Sequence, residues 1–328
     1  MTPRLLSLID RFRRARVLVV GDLVADEFIY GRLSRVSREA PVLILEYGAT
    51  EIVPGGAGNA AANVAALGGK VTLAGAAGRD EAGDRLVEAL RERGVRLALA
   101  RPKEMSTPVK TRILAGGVHS VKQQIVRIDR QGAGASKPAV IRDVVARASR
   151  AARRADAIIA SDYGSGLVTA RGIARIRPRR AQLFVDSRYR LLDFHGMTAC
   201  TPNESEVEAL LGVRIDEDRK ALEKAGRTLL RKTGAEAMLV TRGSRGMALF
   251  ERKAQTLRIP IFGSDEVADV TGAGDTVIAT FALARAAGAT FEEAARLANF
   301  AGGLVVMKRG TATVSSDELR AAVRSGGA

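Results

Sequence analysis

A short segment near the C-terminus, 269–276 (DVTGAGDT), combines residue types that could transfer a phosphoryl group. Gly272, Ala273 and Gly274 precede an apolar run typical of a helix, so their backbone N–H groups would lie at a helix N-terminus, where anions bind. The carboxylate of Asp275 would repel a static anion, but it could take a proton from a hydroxyl that attacks a phosphoryl group. The alternative is that Asp275 caps the helix, a role worth about 1 kcal/mol.

A second glycine-rich turn, 54–63 (PGGAGNAAAN), opens an alanine-rich helix. It matches the loose dinucleotide-binding pattern G-x-G-x-x-A, but no central strand precedes it, so this match is weak. The alternative is a close approach of the backbone to a polyol, with hydroxyl groups bound by Asn59. No P-loop motif occurs in the sequence.

Polar residues also occur where ligands collect in α/β proteins, at the end of the first predicted strand. Asp22 follows this strand and Asp26 lies four residues later, so both could accept hydrogen bonds from sugar hydroxyls. The alternative for both Asp22 and Asp26 is an aspartate that belongs to a turn and binds no ligand.

Two further motifs each have a structural and a functional interpretation. Asn203 and Glu206 have the spacing of a helix capping box, and the same oxygens could position Mg²⁺ near phosphates, partly through water. The segment 241–246 (TRGSRG) joins two strand-like runs, so it could be a hairpin turn alone. Its donors and positive charge would also suit the phosphates of a nucleotide.

These motifs need a scaffold, and short apolar runs alternate with helical stretches along the chain. Strands are predicted at Arg16–Gly21, Val71–Ala76, Ala157–Ser161, Gln182–Asp186, Met238–Thr241 and Met247–Phe250. Helices are predicted at Asn59–Leu67, Glu81–Arg93, Val140–Arg153, Glu204–Leu211 and Arg219–Thr233. This alternation predicts a mainly parallel sheet covered by helices on both faces, in one domain over 1–328.

Two segments, about 28–47 and 109–129, interrupt this alternation because they are rich in β-formers. We expect them to form a small second sheet that covers the ligand site as a lid, and its exposed edge predicts pairing in a homodimer. Two independent surface hairpins are the alternative.

Composition excludes several classes of protein. A single cysteine among 328 residues rules out a disulfide framework, and neither a signal peptide nor a membrane span is expected, so a reducing cytosol fits. The net charge of +16 would attract phosphorylated molecules. Nucleic acid is a less favoured partner because aromatic residues are scarce and no recognised motif occurs, and the basic stretch 147–154 is interpreted as a solvated helix face.

Taken together, the motifs resemble those of the PfkB (ribokinase-like) sugar kinases over nearly the whole chain. Within this family, the amino-acid sequence most resembles the kinase domain of heptose-7-phosphate kinases, which is found in bifunctional proteins of ADP-heptose synthesis. The matching stretches are GDLVADEFIYG, SREAPV, PGGAGNAAANVAALGG, TPVKTRILA, QQIVRID, SDYGSG, TPNESE and LANFAGGLVVMKRGTATVS. The nucleotidyltransferase domain of those proteins is not expected in this chain.

The resemblance implies a ribokinase-like three-layer α/β sandwich with a β lid, ATP as phosphoryl donor and Mg²⁺ as cofactor. It implies transfer to the anomeric hydroxyl of D-glycero-D-manno-heptose 7-phosphate, with Asp275 as base and Gly272–Gly274 as anion donors. The residues implied at the acceptor are Asp22, Asp26, Gly55, Gly56, Asn59, Lys110 and Arg112. Those implied at ATP are Asn203, Thr241, Gly243, Gly246 and Asn299, with Asn203 and Glu206 at Mg²⁺ and Asp269 at an optional K⁺.

Two departures from the family pattern concern the acceptor. Ser165 occupies a position where the family commonly has lysine, and Leu43-Ile44-Leu45 is an aliphatic run after Pro41-Val42. Fructose phosphates, other sugars or sugar phosphates, and nucleosides therefore remain open as acceptors. A different class, a non-catalytic nucleotide-sensing or nucleic-acid-binding protein of the same fold, is the remaining alternative.

Overall fold

The computed structural model of the protein describes residues 1–116, 123–263 and 269–326. In these ranges the helices are α1 (Thr2–Arg11), α2 (Ala57–Ala66), α3 (Glu81–Glu92), α4 (Pro138–Ala152), α5 (Ala170–Ile176), α6 (Glu204–Leu211), α7 (Arg219–Thr233), α8 (Ala273–Ala286), α9 (Phe291–Val306) and α10 (Ser316–Ser325). The strands are β1 (Arg16–Gly21), β2 (Leu23–Val36), β3 (Leu43–Gly56), β4 (Lys70–Ala74), β5 (Arg96–Leu97), β6 (Val109–Gly116), β7 (Gln123–Arg130), β8 (Ala157–Asp162), β9 (Gln182–Ser187), β10 (Ala199–Cys200), β11 (Ala237–Thr241), β12 (Met247–Glu251) and β13 (Leu257–Ile259).

The centre of the molecule is a nine-stranded sheet in the order β13-β12-β11-β10-β9-β8-β1-β4-β5. Its strands are parallel except β12, which pairs antiparallel with both β11 and β13. The mainly parallel sheet predicted from the alternation of strands and helices is thus confirmed.

Helices cover both faces of this sheet, because successive side chains of a buried strand point to opposite sides. In β1, Val17 and Val19 enter an apolar core shared with α1, α2, α3, α8, α9 and α10. Leu18 and Val20 enter a second core shared with α4, α5, α6 and α7. The result is the three-layer sandwich that was expected.

A second sheet of four strands, in the order β3-β2-β6-β7, lies beside the first. β2 pairs antiparallel with β3 and parallel with β6, so the two predicted lid segments form one sheet and the alternative of independent hairpins is wrong. This lid sheet is larger than predicted, because β2 begins at Leu23, directly after Asp22, and β3 continues to Gly56. Residues 117–122 of the second predicted segment lie outside the described residues.

Local signals explain why the predicted helices begin and end where they do. α7 starts after Asp218, whose carboxylate accepts a hydrogen bond from the Lys220 N–H, and it ends at Gly234 in a left-handed conformation with φ of 64°. None of the described helices is long and apolar enough to cross a membrane.

Candidate active site

The carboxyl ends of three neighbouring parallel strands place acidic side chains at one edge of the central sheet. Asp22 follows β1, while Asp162 and Asp186 lie at the ends of β8 and β9. The first turn of α8 reaches the same edge, where Gly274 lines a cavity together with Asp162 and Asp186. This is the edge at which open α/β sheets bind ligands.

Asp275 lies in the first turn of α8 but does not cap it. The N-cap position is Gly272, and the Asp275 carboxylate accepts a hydrogen bond of 2.9 Å from Asn59 Nδ2 and another of 2.9 Å from the Tyr163 hydroxyl. Burial raises the pKa of Asp275 to about 7, although these two hydrogen bonds oppose the shift. The capping alternative is therefore wrong, and the carboxyl group can accept a proton near neutral pH.

Gly272 is required for this arrangement. Its φ of 76° is left-handed, and a Cβ atom there would lie 2.4 Å from Asn59 Nδ2, so a side chain would displace the amide that holds Asp275. Asn59 is in turn held by Asn63, whose Nδ2 donates to Asn59 Oδ1 at 3.0 Å.

The predicted anion donors at this turn are not equivalent. The Ala273 N–H donates to the Val270 carbonyl at 3.2 Å, so it is not free in this conformation, and its predicted role toward an anion stays a prediction. Gly274 is open to the cavity, since a Cβ atom built on it would meet nothing within 4 Å. Among the described residues, the N–H groups of Gly272 and Gly274 have no acceptor.

Tyr163 connects Asp275 to the end of β1. Its N–H donates to Asp22 at 2.8 Å, and its hydroxyl donates to Asp275. Lys110 Nζ lies 5.9 Å from the centroid of the Tyr163 ring and forms no ion pair with any described residue. The Lys110 ammonium group, unpaired among the described residues, therefore faces Asp275 from the lid sheet.

Asp22 is buried and is held mainly by Ser165, which occupies the position of the family lysine. Ser165 Oγ donates to Asp22 Oδ1 at 2.5 Å, and its N–H donates to Oδ2 at 3.2 Å. Burial raises the pKa of Asp22 despite these hydrogen bonds. Gly56 packs against the backbone of Asp22, because a Cβ atom at Gly56 would lie 2.7 Å from the Asp22 carbonyl oxygen.

Asp26 lies in β2, so its interpretation as a turn aspartate is wrong. Its carboxylate forms a buried ion pair with Arg112 at 2.7 Å and accepts a hydrogen bond from Thr311 at 3.0 Å. Gly55 lies against the same carboxylate, since a Cβ atom there would be 2.5 Å from Asp26 Oδ2. The charge of Arg112 is thus compensated within the protein, which leaves Lys110 as the available cation of the predicted pair.

The cavity beside Gly274 has a volume of about 190 Å³ and is lined mainly by polar residues. Asp186 and Glu206 face it, and burial raises the pKa of both carboxyl groups, with further electrostatic contributions to Asp186 from Asp275, Glu206 and Asp162. Asp186 accepts no hydrogen bond from any side chain in the described ranges. Crowded carboxylates of this kind need a cation to be ionised together.

The residues of this cavity fit Mg²⁺ bound with substrate rather than in a cage of protein ligands. No group of three or more acidic, histidine or cysteine residues with metal-binding geometry occurs in the described part of the chain. Mg²⁺ commonly uses one or two carboxylates, with waters and substrate phosphates as its other ligands. Asp186 and Glu206 could supply the carboxylates.

Asn203 and Glu206 form the capping box that was predicted as their structural alternative. Asn203 Oδ1 accepts the Glu206 N–H at 2.8 Å, and Glu206 accepts the Asn203 N–H at 3.0 Å. Both residues also line the 190 Å³ cavity. The capping role does not exclude the predicted metal role, which stays a prediction.

The predicted nucleotide residues fall into two groups. Asn203 and Thr241 line the cavity, whereas Gly243, Gly246 and Asn299 do not. Asn299 Nδ2 donates to the Pro260 carbonyl at 2.9 Å, and Gly246 packs against the same segment, with its Cβ position 2.1 Å from the Ile259 carbonyl oxygen.

The positive charge of segment 241–246 is partly compensated within the protein, because two arginines share one carboxylate, and the predicted role toward phosphates stays a prediction. Arg242 and Arg245 both pair with the buried carboxylate of Glu204, at 2.5 Å for Arg242. The segment is the turn between the antiparallel strands β11 and β12, as its structural alternative predicted.

Both oxygens of Asp269 are occupied by backbone donors. Oδ1 accepts the Thr271 N–H at 2.9 Å, and Oδ2 accepts the Gly310 N–H at 3.0 Å. Asp269 thereby fixes the turn before α8 to the segment after α9. Its predicted contact with a monovalent cation stays a prediction.

Three residues of the site were not identified from the sequence: Tyr163, Asp162 and Asp186. The rule that identified Asp22, a carboxylate at the end of a predicted strand, applies equally to Asp162 and Asp186 and would have found them. Tyr163 follows Asp162 directly, but nothing in the sequence indicates that its hydroxyl reaches Asp275.

Comparison with known proteins places the chain among carbohydrate kinases. The family model described as pfkB family carbohydrate kinase matches residues 14–318. The bifunctional protein HldE of Desulfatibacillum aliphaticivorans is 40% identical over 319 residues, which cover 95% of this chain and 64% of that protein. The bifunctional protein HldE of Methylococcus capsulatus is 41% identical over 320 residues, covering 96% of this chain and 65% of that protein. The chain thus spans less than two thirds of these relatives.

Solved structures share the fold at lower identity. Phosphofructokinase-2 from Escherichia coli in complex with fructose-6-phosphate superposes with a TM-score of 0.77 at 20% identity, covering 95% of this chain and 99% of that chain. Ribokinase from Arabidopsis thaliana complexed with ribose and ATP gives a TM-score of 0.70 at 21% identity, covering 94% and 99%. At these identities the likeness shows a ribokinase-like fold and no more.

Proposed function

We propose that this chain, which belongs to the pfkB family of carbohydrate kinases, transfers the γ-phosphoryl group of ATP to the anomeric hydroxyl of D-glycero-D-manno-heptose 7-phosphate. Membership of the family makes it a sugar kinase, a phosphotransferase with an alcohol group as acceptor. The heptose 7-phosphate acceptor, its 1,7-bisphosphate product and a cytoplasmic location are our proposals, supported by the likeness to the HldE proteins over 94–97% of this chain.

The observation that carries the proposal is the environment of Asp275. Its carboxyl group is buried beside the N-terminus of α8, with a pKa of about 7 and two hydrogen-bond donors that fix both oxygens. A base of this pKa can remove the proton of a sugar hydroxyl as that oxygen attacks phosphorus, a contribution typically worth about 10²–10⁴-fold in rate. The adjacent Gly272 and Gly274 N–H groups would stabilise the transferring phosphoryl oxygens.

The acceptor would lie between Asp275, the end of β1 and the lid sheet. Asp22, Asn59 and Asp26 supply polar groups there, and Gly55 and Gly56 bring the backbone close. Lys110 is the cation available for the acceptor's own phosphate, because Arg112 is paired with Asp26. Closure of the lid sheet over the acceptor would exclude water and so limit hydrolysis of ATP.

ATP would enter from the side of the 190 Å³ cavity, with Thr241 and Asn203 along its phosphates. Asp186 and Glu206 would hold Mg²⁺, whose chemical contribution is to neutralise charge on the β- and γ-phosphates. We extend the proposal to Gly243, Gly246 and Asn299 as flanking residues of the nucleotide, and leave K⁺ at Asp269 outside it, because backbone donors occupy both carboxylate oxygens.

We also propose that the protein is a homodimer formed through the lid sheet. Its strands carry large apolar side chains that are exposed, and β3 and β7 are open edges. Exposed apolar patches and unpaired edges favour association with a second chain. The exposed apolar residues are Leu33, Val36, Val42, Leu43, Tyr47, Ile125, Val126 and Ile128.

Two experiments test the reaction and the acceptor separately. Asp275→Asn should lower turnover, measured by ADP release, by at least about 10²-fold with little change in the affinity for ATP. Asp317→Asn is the matched control, because the Asp317 side chain is 95% exposed. Near-normal turnover of Asp275→Asn would remove the base assignment.

For the acceptor, heptose 7-phosphate, fructose 6-phosphate, ribose and a nucleoside are compared by kcat/KM, and the product is identified by phosphorus NMR. Heptose 7-phosphate should be preferred and should gain an anomeric phosphate. If another sugar is preferred, the heptose assignment is wrong while the kinase assignment stands.

A further inference from the structure

A large groove lined by cationic side chains lies at the N-terminal ends of strands in the central sheet, whereas the candidate active site lies at the carboxyl ends. It has a volume of about 1420 Å³ and is formed by the first residues of β1, β4 and β5 together with the C-terminal end of α4. The candidate site occupies the carboxyl ends of β1, β8 and β9, so the length of the strands separates the two. We call this surface the basic groove.

Most of the cations in the basic groove are not neutralised. Arg147 pairs with Asp143, and the Arg180 guanidinium donates to the Arg153 carbonyl. The remaining cations have no acidic partner among the described residues: Arg16, Lys70, Arg96, Arg150, Arg153 and Arg154. The nearest carboxylate in sequence, Asp156, accepts the backbone N–H of Arg16, and no aspartate or glutamate lines the groove.

Such a concentration of like charge destabilises the folded chain unless an anion lies among the side chains. Unpaired cations follow one another along one wall: Arg150 lies in the last turn of α4, Arg153 is its C-cap residue and Arg154 comes next. A row of cations suits a linear chain of anions better than a single anion.

The kinds of side chain in the basic groove also limit its ligand. Arginine predominates over lysine, and the guanidinium fork matches the oxygens of phosphate. No aromatic residue lines the groove, so it offers no aromatic stacking surface for bases, and it has no asparagine or glutamine to read adenine. These features favour phosphates linked to each other over phosphates linked through nucleosides.

We infer that the basic groove binds inorganic polyphosphate, a linear chain of phosphate groups. Binding requires no chemistry at the groove, and the phosphoryl donor at the catalytic cavity remains unaffected because the two surfaces lie at opposite edges of the sheet. Within the stretch 147–154, expected to be a solvated helix face, Arg150, Arg153 and Arg154 are exposed, whereas Ala148 and Ala152 are buried in the core; the arginines form one wall of the basic groove.

The test measures binding of fluorescently labelled medium-chain polyphosphate to the whole chain at several salt concentrations. Arg150→Glu combined with Arg154→Glu should weaken binding by about tenfold or more and lower the slope of log K against log salt by about two. The matched control is Arg171→Glu combined with Arg175→Glu on α5, which changes the net charge equally at exposed positions outside the groove. Both variants should keep wild-type ADP release, which shows that they are folded.

Three results would overturn the inference. Equal weakening by the control pair would show attraction to overall charge rather than to the groove. Tighter binding of a single-stranded oligonucleotide of matched charge would make the groove a nucleic-acid site. Competition between polyphosphate and ATP would place polyphosphate at the catalytic cavity. If the glutamate pair does not fold, Arg150→Gln with Arg154→Gln removes the charges without reversing them.

Discussion

Replacing Tyr163 by phenylalanine should move the pH dependence of catalysis to higher pH. The Tyr163 hydroxyl donates a 2.9 Å hydrogen bond to Asp275, and this bond stabilises the ionised carboxylate against the burial that raises its pKa to about 7. Tyr163→Phe removes the donor but keeps the ring, so the remaining donor to the carboxylate is Asn59.

The size of the shift follows from the energy of the lost bond. A hydrogen bond to a charged group contributes about 1.5–3 kcal/mol, and one pKa unit corresponds to about 1.4 kcal/mol, so the pKa should rise by about one to two units. In the wild type, about half of the base is ionised at pH 7, whereas the variant would have about a tenth to a hundredth. Activity at pH 7 should therefore fall by about five- to fiftyfold and recover as the pH increases.

The assay is kcat/KM for the acceptor from ADP release between about pH 5.5 and 9.5, because this ratio reports groups of the free enzyme. Tyr47→Phe is the control, since Tyr47 is 70% exposed and far along the lid sheet from Asp275. A variant whose profile is lowered equally at every pH, with its acid limb unmoved, would show that Tyr163 does not act on the base.

Three other predictions concern the metal, the acceptor and the assembly. Asp186→Asn should raise the Mg²⁺ concentration for half-maximal activity by about tenfold or more, measured by titration with MgCl₂, because one of the two carboxylates proposed to hold the metal is lost. Lys110→Met should raise KM for a phosphorylated acceptor by at least about tenfold while KM for ATP, measured in the same ADP-release assay, changes little. If the proposed dimer forms through the lid sheet, Val36→Lys combined with Leu43→Lys should give a monomer in light scattering where the unaltered chain gives a dimer, because two exposed apolar side chains become charged.

The sequence predicts the scaffold well where the signals are local. The bounds of β1, α6 and α7 agree with the prediction residue for residue, because caps, glycines and apolar periodicity act over a few positions. The short strands β5, β10 and β13 were not predicted, since two or three residues carry no periodicity of their own.

The candidate site was only partly predictable, because its chemistry depends on contacts between distant residues. Asp275 and Asn59 were identified as functional from their motifs, but the hydrogen bond between them joins positions 216 residues apart. The pairing of Arg112 with Asp26 compensates a charge that the sequence assigned to a ligand, and Arg242 and Arg245 share the single carboxylate of Glu204. A sequence gives the number of charges and not which of them remain unpaired after folding.

Strand β2 connects the proposed acceptor pocket, near Asp26, to the outer surface of the lid sheet, near Val36. Asp26 lies near its start and Val36 at its end, ten residues or about 33 Å away, so a tilt of about 10° at Asp26 moves the tip by about 6 Å. Irregularities in its pairing with β3 next to Gly31 and Leu33 are the points where this strand can bend. Where the strand stays straight, a shift at the proposed acceptor pocket also moves the outer surface of the lid sheet. Laboratory evolution toward a new acceptor should alter assembly as a by-product, and variants selected for altered assembly should differ in acceptor preference.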